Sequence, residues 1–227
     1  MNDPLISVIM SVYNEEENIS NSVNSILNQN FSNFELIITD DFSTDNTLEI
    51  LRKARKFDKR IVLIENQKNL GLTKSLNNML KVAKGQYIAR QDADDYSTPD
   101  RLETQIKNID KDKIDAVVCR AKVIGSSKKI PGISFFLPKK LLIKFKNPFI
   151  HGTLLIKKKI LNNLGNYNEK FIYSQDYRLF SDFLNSGYKI KYLNKVLYHL
   201  NMENNISMNF SSEQKYYADC VRKNSTP

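Results

Sequence analysis

Gln86-Tyr87-Ile88-Ala89 followed by Arg90-Gln91-Asp92-Ala93-Asp94-Asp95 is a strand-like run that ends in three carboxylates within four residues. Charges that close repel one another unless something positive sits among them, and a hard divalent cation with oxygen ligands is one such partner. The competing reading is a solvated acidic turn that caps the helix opening at Thr98-Pro99-Asp100-Arg101. On these residues alone the two readings are level. Upstream, the same pattern occurs twice more. Leu5-Ile6-Ser7-Val8-Ile9-Met10-Ser11-Val12 runs into Tyr13-Asn14, and Phe34-Glu35-Leu36-Ile37-Ile38-Thr39 runs into Asp40-Asp41. Near-continuous apolar runs of this length are those of strands buried on both faces of a parallel sheet.

Helical stripes separate the strands. Ile19, Val23, Ile26 and Leu27 fall on one face, and Ser43 or Thr44 is expected to cap a helix through Leu48, Leu51 and Arg55. Ile61-Val62-Leu63-Ile64 reads as a third strand. Leu72, Leu76, Met79, Leu80 and Ala83 form a further stripe, stopped by Gly85. Leu102, Ile106 and Ile109 mark the helix after the acidic stretch. Four alternations of strand and helix predict an α/β domain with a mostly parallel sheet flanked by helices. In such sheets ligands bind beyond the carboxyl ends of the strands, and right-handed crossovers bring the three polar clusters to that one edge. This favours a site over a capping turn.

Past residue 112 the pattern loosens. Asp115-Ala116-Val117-Val118-Cys119 is expected to be a strand, with Lys122-Val123-Ile124 beside it. Phe135 to Phe145 interleaves lysines with large apolar residues. A helix after Pro138 fits either a core-facing or a membrane-surface element, with the core favoured. His151 to Ile156 reads as a strand, Gly165-Asn166-Tyr167 as a turn, and Ser174-Gln175-Asp176 as the start of a helix closed by Gly187. Tyr188 to Leu197 reads as a last strand. From Asn201 onward the chain is polar and aromatic and has no assigned element. With no repeat and no Pro/Gly/Ser linker, the 227 residues are expected to form one domain. Residues 1–110 would bind a nucleotide, residues 111–200 an acceptor, and 201–227 form a segment without an assigned role.

Charge and composition narrow the partners. From Arg120 to Lys170 there are twelve Lys/Arg and a single acid, Glu169, which more than accounts for the chain's net charge of +9. That stretch predicts a surface facing an anionic partner such as phospholipid headgroups, a lipid pyrophosphate or nucleic acid, with plain solvated lysines as the alternative. Two distant cysteines suit a reducing cytoplasm. No leader-like stretch or membrane-length apolar run is present, so the chain is expected to be cytoplasmic, neither exported nor membrane-spanning. Among seven glycines there is no GxGxxG and no GxxxxGK[ST], so no glycine cradle can receive a phosphate. A diphosphate meeting an acidic rim needs a metal bridge. Two histidines, His151 and His199, make a zinc cluster a poor alternative.

As a set these stretches resemble an inverting family-2 glycosyltransferase of the GT-A fold, a bacterial, nucleotide-sugar-dependent family, from Ile6 to about Ser207. The resemblance implies a Rossmann-like sheet and a UDP-sugar donor. It places Ser11 and Tyr13 against the base, Asp41 as acceptor of the uracil N–H, and Asn77 with Lys74 near base and ribose. Asp92-Ala93-Asp94 matches the family's DxD, which puts Asp92 near the ribose and Asp94 on Mn²⁺ or Mg²⁺, with Asp92 a second metal candidate. His151-Gly152-Thr153 resembles a segment lining the acceptor side. Asp176 stands where the family has its catalytic base, and Gln175 replaces the Glu usual before it. The family's metal-side histidine position holds Asn201, which leaves His199 as a substitute ligand.

The function this implies is transfer of a hexose or N-acetylhexosamine to a hydroxyl of a bacterial surface glycan or lipid-linked oligosaccharide, with peripheral contact to an anionic membrane and no nucleic-acid partner. A sugar nucleotidyltransferase would need a Gly-rich, Arg-bearing signature after the first strand, and Ser11-Val12-Tyr13-Asn14-Glu15-Glu16 is not one. A non-catalytic basic module would bind membrane or nucleic acid through residues 120–170 without needing Asp41, Asp92 or Asp94.

Overall fold

The computed structural model describes residues 3–202 and 211–227. Strands β1 (Ile6–Val12) and β2 (Phe34–Asp40) lie parallel near its centre, with Ile6 opposite Phe34 and Val12 opposite Asp40. All of β2 is buried, and of β1 only Ser11 is partly exposed. Helices therefore cover both faces, as the unbroken apolar runs require. β3 (Ile61–Glu65) extends the parallel sheet beyond β2, and β4 (Tyr87–Arg90) flanks β1 on the other side. Helices α1 (Ile19–Leu27), α2 (Thr47–Phe57) and α3 (Leu72–Val82) alternate with these strands, burying Ile19, Val23 and Ile26, Leu51, and Leu76, Met79 and Leu80.

Two local readings change. α2 starts at Thr47 rather than after Ser43 or Thr44, and Asp45 Oδ1 accepts the Thr47 N–H at 3.0 Å. α3 ends at Val82, ahead of Gly85. Gly85 serves a close crossing instead: a Cβ there would lie 2.7 Å from the Ile6 carbonyl carbon. Its N–H donates to Ser7 Oγ at 2.8 Å, which donates to Glu35 Oε1 at 2.6 Å, a polar staple across β1, β2 and the entry to β4.

Beyond β4 the sheet becomes mixed. After the two-residue β5 (Tyr96–Ser97) and α4 (Arg101–Asp112) comes β6 (Ala116–Val123), which runs through the stretch expected to form a second strand at Lys122 and pairs with β7 (Lys129–Ile130). β8 (Leu155–Lys157) lies antiparallel between β4 and β6, and β9 (Ile190–Leu200) runs parallel to β6 and antiparallel to β5. The order is β3-β2-β1-β4-β8-β6-β9-β5. The parallel expectation holds for the first four strands and for β6–β9, and it fails at β8 because an apolar run carries no sign of its direction. His151–Thr153, expected as strand, is a 3₁₀ turn ahead of β8. β9 is bulged: Cys119 pairs with Leu193, Arg120 with Val196, and Ala121 with Tyr198. Bulges bend a strand and raise its twist, which carries the end of β9 to β5 beside the acidic turn.

One apolar layer packs α1, α2 and α4 on the sheet. The other packs α3, α6 (Lys158–Asn163), α7 (Gln175–Asn185) and α8 (Ser211–Arg222). Burial of each fully enclosed aliphatic or aromatic side chain here stabilises the fold by about 1.5–3 kcal/mol. α8 lies in the segment that carried no assigned element, and it buries Cys220 and Val221. The expected end of the family resemblance, Ser207, lies outside the described residues. The helix expected after Pro138 is a single turn, α5 (Lys139–Leu142), and it does not face the core: Phe136, Leu137, Leu141 and Phe145 are exposed, and only Ile143 is buried.

Candidate active site

β1, β2 and β4 point the same way, so Ser11 to Asn14, Asp40-Asp41 and Arg90 to Asp95 meet at one rim. The first two loops are laced together. Thr44 N–H donates to Asn14 Oδ1 at 2.8 Å, Asn14 N–H to Ser43 Oγ at 3.0 Å, and Glu15 N–H to Thr47 Oγ1 at 2.8 Å. Asn14 (φ 53°) and Phe42 (φ 70°) both adopt left-handed backbone. Asn tolerates that region, but an aromatic residue there is strained, and such strain collects at functional sites. Tyr13 and Phe42 are each about half-exposed, two ring faces at the mouth of the rim.

Asp41 is buried and organises the loop after β3. Its Oδ1 accepts from Asn66 Nδ2 at 2.7 Å and Leu70 N–H at 2.8 Å, and its Oδ2 from Gly71 N–H at 2.8 Å. A carboxylate offers about four acceptor directions, so one is left for a donor from outside. Asn77 is drawn elsewhere. Its Nδ2 donates to Tyr167 O at 2.9 Å and Glu169 Oε1 at 3.0 Å, and its Oδ1 accepts Tyr167 N–H at 3.1 Å. These bonds tie α3 to the 165–169 turn, and the amide is spent on them. Lys74 is exposed on α3.

The positive charge that the acidic stretch requires comes partly from the chain. Arg90, only 1 % exposed, pairs through Nη2 with Asp92 Oδ1 at 2.6 Å. Arg101, fully buried, donates to Arg90 O at 2.6 Å, Ser97 Oγ at 2.7 Å and Gln91 Oε1 at 2.9 Å, and lies over the Tyr198 ring. Gln91, also fully buried, donates from Nε2 to Asp95 O at 2.9 Å and Asp92 O at 3.1 Å. The backbone of the turn is thus held from beneath by three buried side chains. Tyr198 closes it from β9: its hydroxyl accepts Asp92 N–H at 3.0 Å, and Asn201 N–H donates to Asp95 Oδ1 at 2.7 Å. A Cβ on Gly152 would collide with the Tyr198 hydroxyl and lie 2.5 Å from Asp92 Oδ2, so the segment before β8 can pass here only as glycine.

Asp94 and Asp95 have no Lys or Arg partner among the described residues. Burial first, and then the charge of Asp92, raises both above the usual carboxylate range, and Glu15 adds to the effect on Asp94. His199 stacks on Tyr96 with centroids 4.6 Å apart; burial and then Lys122 lower its pKa and favour the neutral ring. Across from this rim, His151 Nε2 lies 2.8 Å from the Tyr167 hydroxyl, and burial followed by Arg90 keeps the ring neutral.

Asp176 sits in the first turn of α7. Its Oδ2 accepts Asn147 Nδ2 at 2.7 Å and its Oδ1 accepts Tyr177 N–H at 2.7 Å. Asn147 is itself oriented by accepting Phe149 N–H at 3.0 Å. Burial pushes Asp176 up to about 6 against these hydrogen bonds, and the charge of Asp92 adds to the rise, so the two carboxyls share one electrostatic environment. Gln175 is buried beside it. Ser174, the N-cap residue of α7, makes no side-chain capping bond and turns its hydroxyl to Gln214 O at 3.2 Å.

Arg90, Gln91, Arg101, Asn147 and Tyr198 were given no role in the sequence reading, and Gly152 was named only within the acceptor-side segment. An arginine opening the acidic stretch was one available signal; Tyr198 and Asn147 act through partners 106 and 29 residues away.

The family model for glycosyl transferase family 2 matches residues 7–186. This chain belongs to glycosyl transferase family 2. It is 36 % identical over 207 residues to the uncharacterised glycosyltransferase MJ1057 of Methanocaldococcus jannaschii, covering 87 % of this chain and 70 % of that one. It is 34 % identical over 188 residues to the Escherichia coli UDP-Glc:alpha-D-GlcNAc-diphosphoundecaprenol beta-1,3-glucosyltransferase WfgD, covering 81 % and 71 %. Among solved structures, S. aureus TarS 1-349 in complex with UDP-GlcNAc superposes with TM-score 0.75 at 25 % identity, covering 90 % of this chain and 60 % of that one. The mannosyltransferase PcManGT of Pyrobaculum calidifontis, solved with GDP-Man and Mn²⁺, shares the fold at TM-score 0.77 and 20 % identity, covering 100 % and 66 %. The chain is a glycosyltransferase with a GT-A-like fold, which displaces the nucleotidyltransferase and non-catalytic readings.

The mannosyltransferase PcManGT was solved with Mn²⁺, an ion whose oxygen donors the acidic rim of this chain could supply. Among the described residues no three His, Cys, Asp or Glu side chains form a metal cage. Mg²⁺-type sites are commonly built from one or two carboxylates plus substrate phosphates rather than from such a cage. Asp94, which forms no ion pair among the described residues and whose charged form is disfavoured first by burial and then by Asp92, is an oxygen donor that a cation would relieve.

Proposed function

We propose that this enzyme transfers a hexose or N-acetylhexosamine from a UDP-sugar to a hydroxyl of a bacterial surface glycan or its lipid-linked precursor, with inversion at the anomeric carbon. The observation that carries the reading is the pairing across one site of an acidic rim, Asp92-Ala93-Asp94, with a separate half-buried carboxyl, Asp176, that senses the charge of Asp92. The names of WfgD and TarS support the donor class, and WfgD the lipid-diphosphate class of acceptor.

The base lies between the faces of Tyr13 and Phe42, near Ser11, with its N–H toward the remaining acceptor direction of Asp41. Lys74, exposed on α3 just past the loop that Asp41 organises, is kept as a candidate contact near the base and ribose. Asp94, with Asp92, would hold Mn²⁺ or Mg²⁺, whose positive charge would stabilise the departing diphosphate; His199, stacked on Tyr96, is not gathered with them into a cage among the described residues. Ala93, small and buried, lets the turn pass close under the ribose. On the acceptor side, Asp176 takes the proton of the attacking hydroxyl. Its pKa of about 6 keeps it ionised at neutral pH yet basic enough for the task. Asn147 and the Tyr177 N–H fix the carboxylate plane, while His151, held by Tyr167, and Gln175 border the acceptor.

The test is a panel of nucleotide sugars scored for metal-dependent UDP release by the wild type and Asp94→Ala. UDP release that vanishes in the variant, with circular dichroism unchanged, is expected. Undiminished turnover would remove Asp94 from the metal site.

A further inference from the structure

Within residues 131–147 one lysine is partly enclosed while large apolar side chains are exposed. Lys139 folds back on its own segment: its Nζ donates to Phe135 O at 2.5 Å, Leu137 O at 2.8 Å and Ser134 O at 3.1 Å, and lies 5.5 Å from the centroids of Phe135 and Tyr192. The large apolar side chains point outward. Ile133 is 86 % exposed, Phe136 74 %, Phe145 65 %, Leu141 55 % and Leu137 46 %. Single exposed apolar residues are ordinary. Here five of the fifteen found among the described residues fall within thirteen consecutive positions, on a segment whose shape is fixed from inside by an ammonium group. Such a concentration marks an interaction surface rather than chance exposure.

The charges around it say what kind of partner it fits. Lys140, Lys144 and Lys146 are exposed among these apolar residues, and Lys128 and Lys129 are exposed on the neighbouring hairpin. No Asp or Glu occurs between Arg120 and Asn168. Long basic side chains alternating with aromatic and aliphatic ones suit the boundary of an anionic bilayer, where the rings enter the headgroup region and the ammonium groups meet phosphates. We propose that the face formed by residues 133–146 is a docking surface for an anionic phospholipid bilayer. The inference deepens the lipid-linked form of the acceptor reading. The same segment ends in Asn147, whose amide holds Asp176, and the carbonyl of Phe145 accepts from Arg222 at 3.1 Å. Docking therefore presents the acceptor side of the site to the lipid surface and loads the residue that orients the carboxylate.

The experiment is co-sedimentation of the full chain with phosphatidylcholine vesicles, with and without about 30 % phosphatidylglycerol, and without donor or acceptor. Binding that requires the anionic lipid and weakens as salt is raised is expected. It should fall about tenfold or more both in Lys140→Glu/Lys144→Glu and in Phe136→Ser/Phe145→Ser, with melting temperatures unchanged. Equal binding to neutral vesicles, or undiminished binding by either variant, would overturn the proposal. So would a self-association, seen by analytical ultracentrifugation, that Phe136→Ser/Phe145→Ser abolishes, since that assigns the face to a second copy of the chain. Sugar-nucleotide hydrolysis without vesicles reads the donor site separately, so a failed enzyme reading and a failed docking surface give different patterns.

Discussion

Two places in the molecule surround a basic side chain with carbonyls and an aromatic face, and they put it to opposite use. Beneath the acidic turn, Arg101 donates to Arg90 O, Gln91 and Ser97 under the ring of Tyr198, and everything it holds is buried. In residues 131–146, Lys139 donates to three carbonyls beside Phe135 and Tyr192, and what it holds faces outward. A buried guanidinium, with five donors in a fixed plane, can fix several acceptors at once without losing its charge. The ammonium gathers a single short turn. The rim around the acidic turn is therefore preorganised from within, whereas residues 131–146 leave apolar surface to be covered.

The sharpest break between the two sides is chemical. With Asp176 as the proposed general base, Asp176→Asn should lower kcat by about 10²–10⁴-fold, while UDP-sugar affinity measured by titration calorimetry stays unchanged. A comparable loss of donor affinity would dissolve the distinction between the sides. Stability separates them next. Arg101→Leu strands several buried acceptors and should cost about 3 kcal/mol or more in urea unfolding, whereas Lys139→Leu, at the surface, should cost about 1 kcal/mol. Equal costs would mean the lysine staple is as deeply built as the arginine network.

The smallest effect is in pH. As the proposed base, Asp176 would act only when ionised, so kcat should fall as pH drops through about 6 and level off above it. The Asn147 hydrogen bond favours the ionised form, so Asn147→Ala should move that limb to higher pH and leave donor affinity alone. An unmoved limb would limit Asn147 to packing.

The central sheet was readable because its strands are unbroken apolar runs and its helices carry single stripes: Ile19, Val23 and Ile26, or Leu76, Met79 and Leu80, announce both element and face. The rim was readable because acids follow strands that share a direction. The network below it was not, since Tyr198 lies 106 residues from Asp92, and nothing local to either tells of the other. Asn77 shows the same limit from the opposite side: its place near the ribose was inferred from position, and its amide is taken by a turn 90 residues on. The helix expected after Pro138 was favoured as core-facing over its membrane-surface alternative because an apolar face looks alike whether it meets a sheet or a partner.

The irregularity in β9 gives one more consequence. Between Leu193 and Tyr198 this strand uses more residues than its neighbour to cover the same ground, and the surplus decides which face the tyrosine hydroxyl presents. Removing one residue from Asn194 to Leu197 would change where Tyr198 and Asn201 meet the acidic turn, which they hold through the Asp92 N–H and Asp95 Oδ1. The spacing within β9 is thus a silent gauge for the rim, and a chain shortened there should keep its acids and lose their alignment.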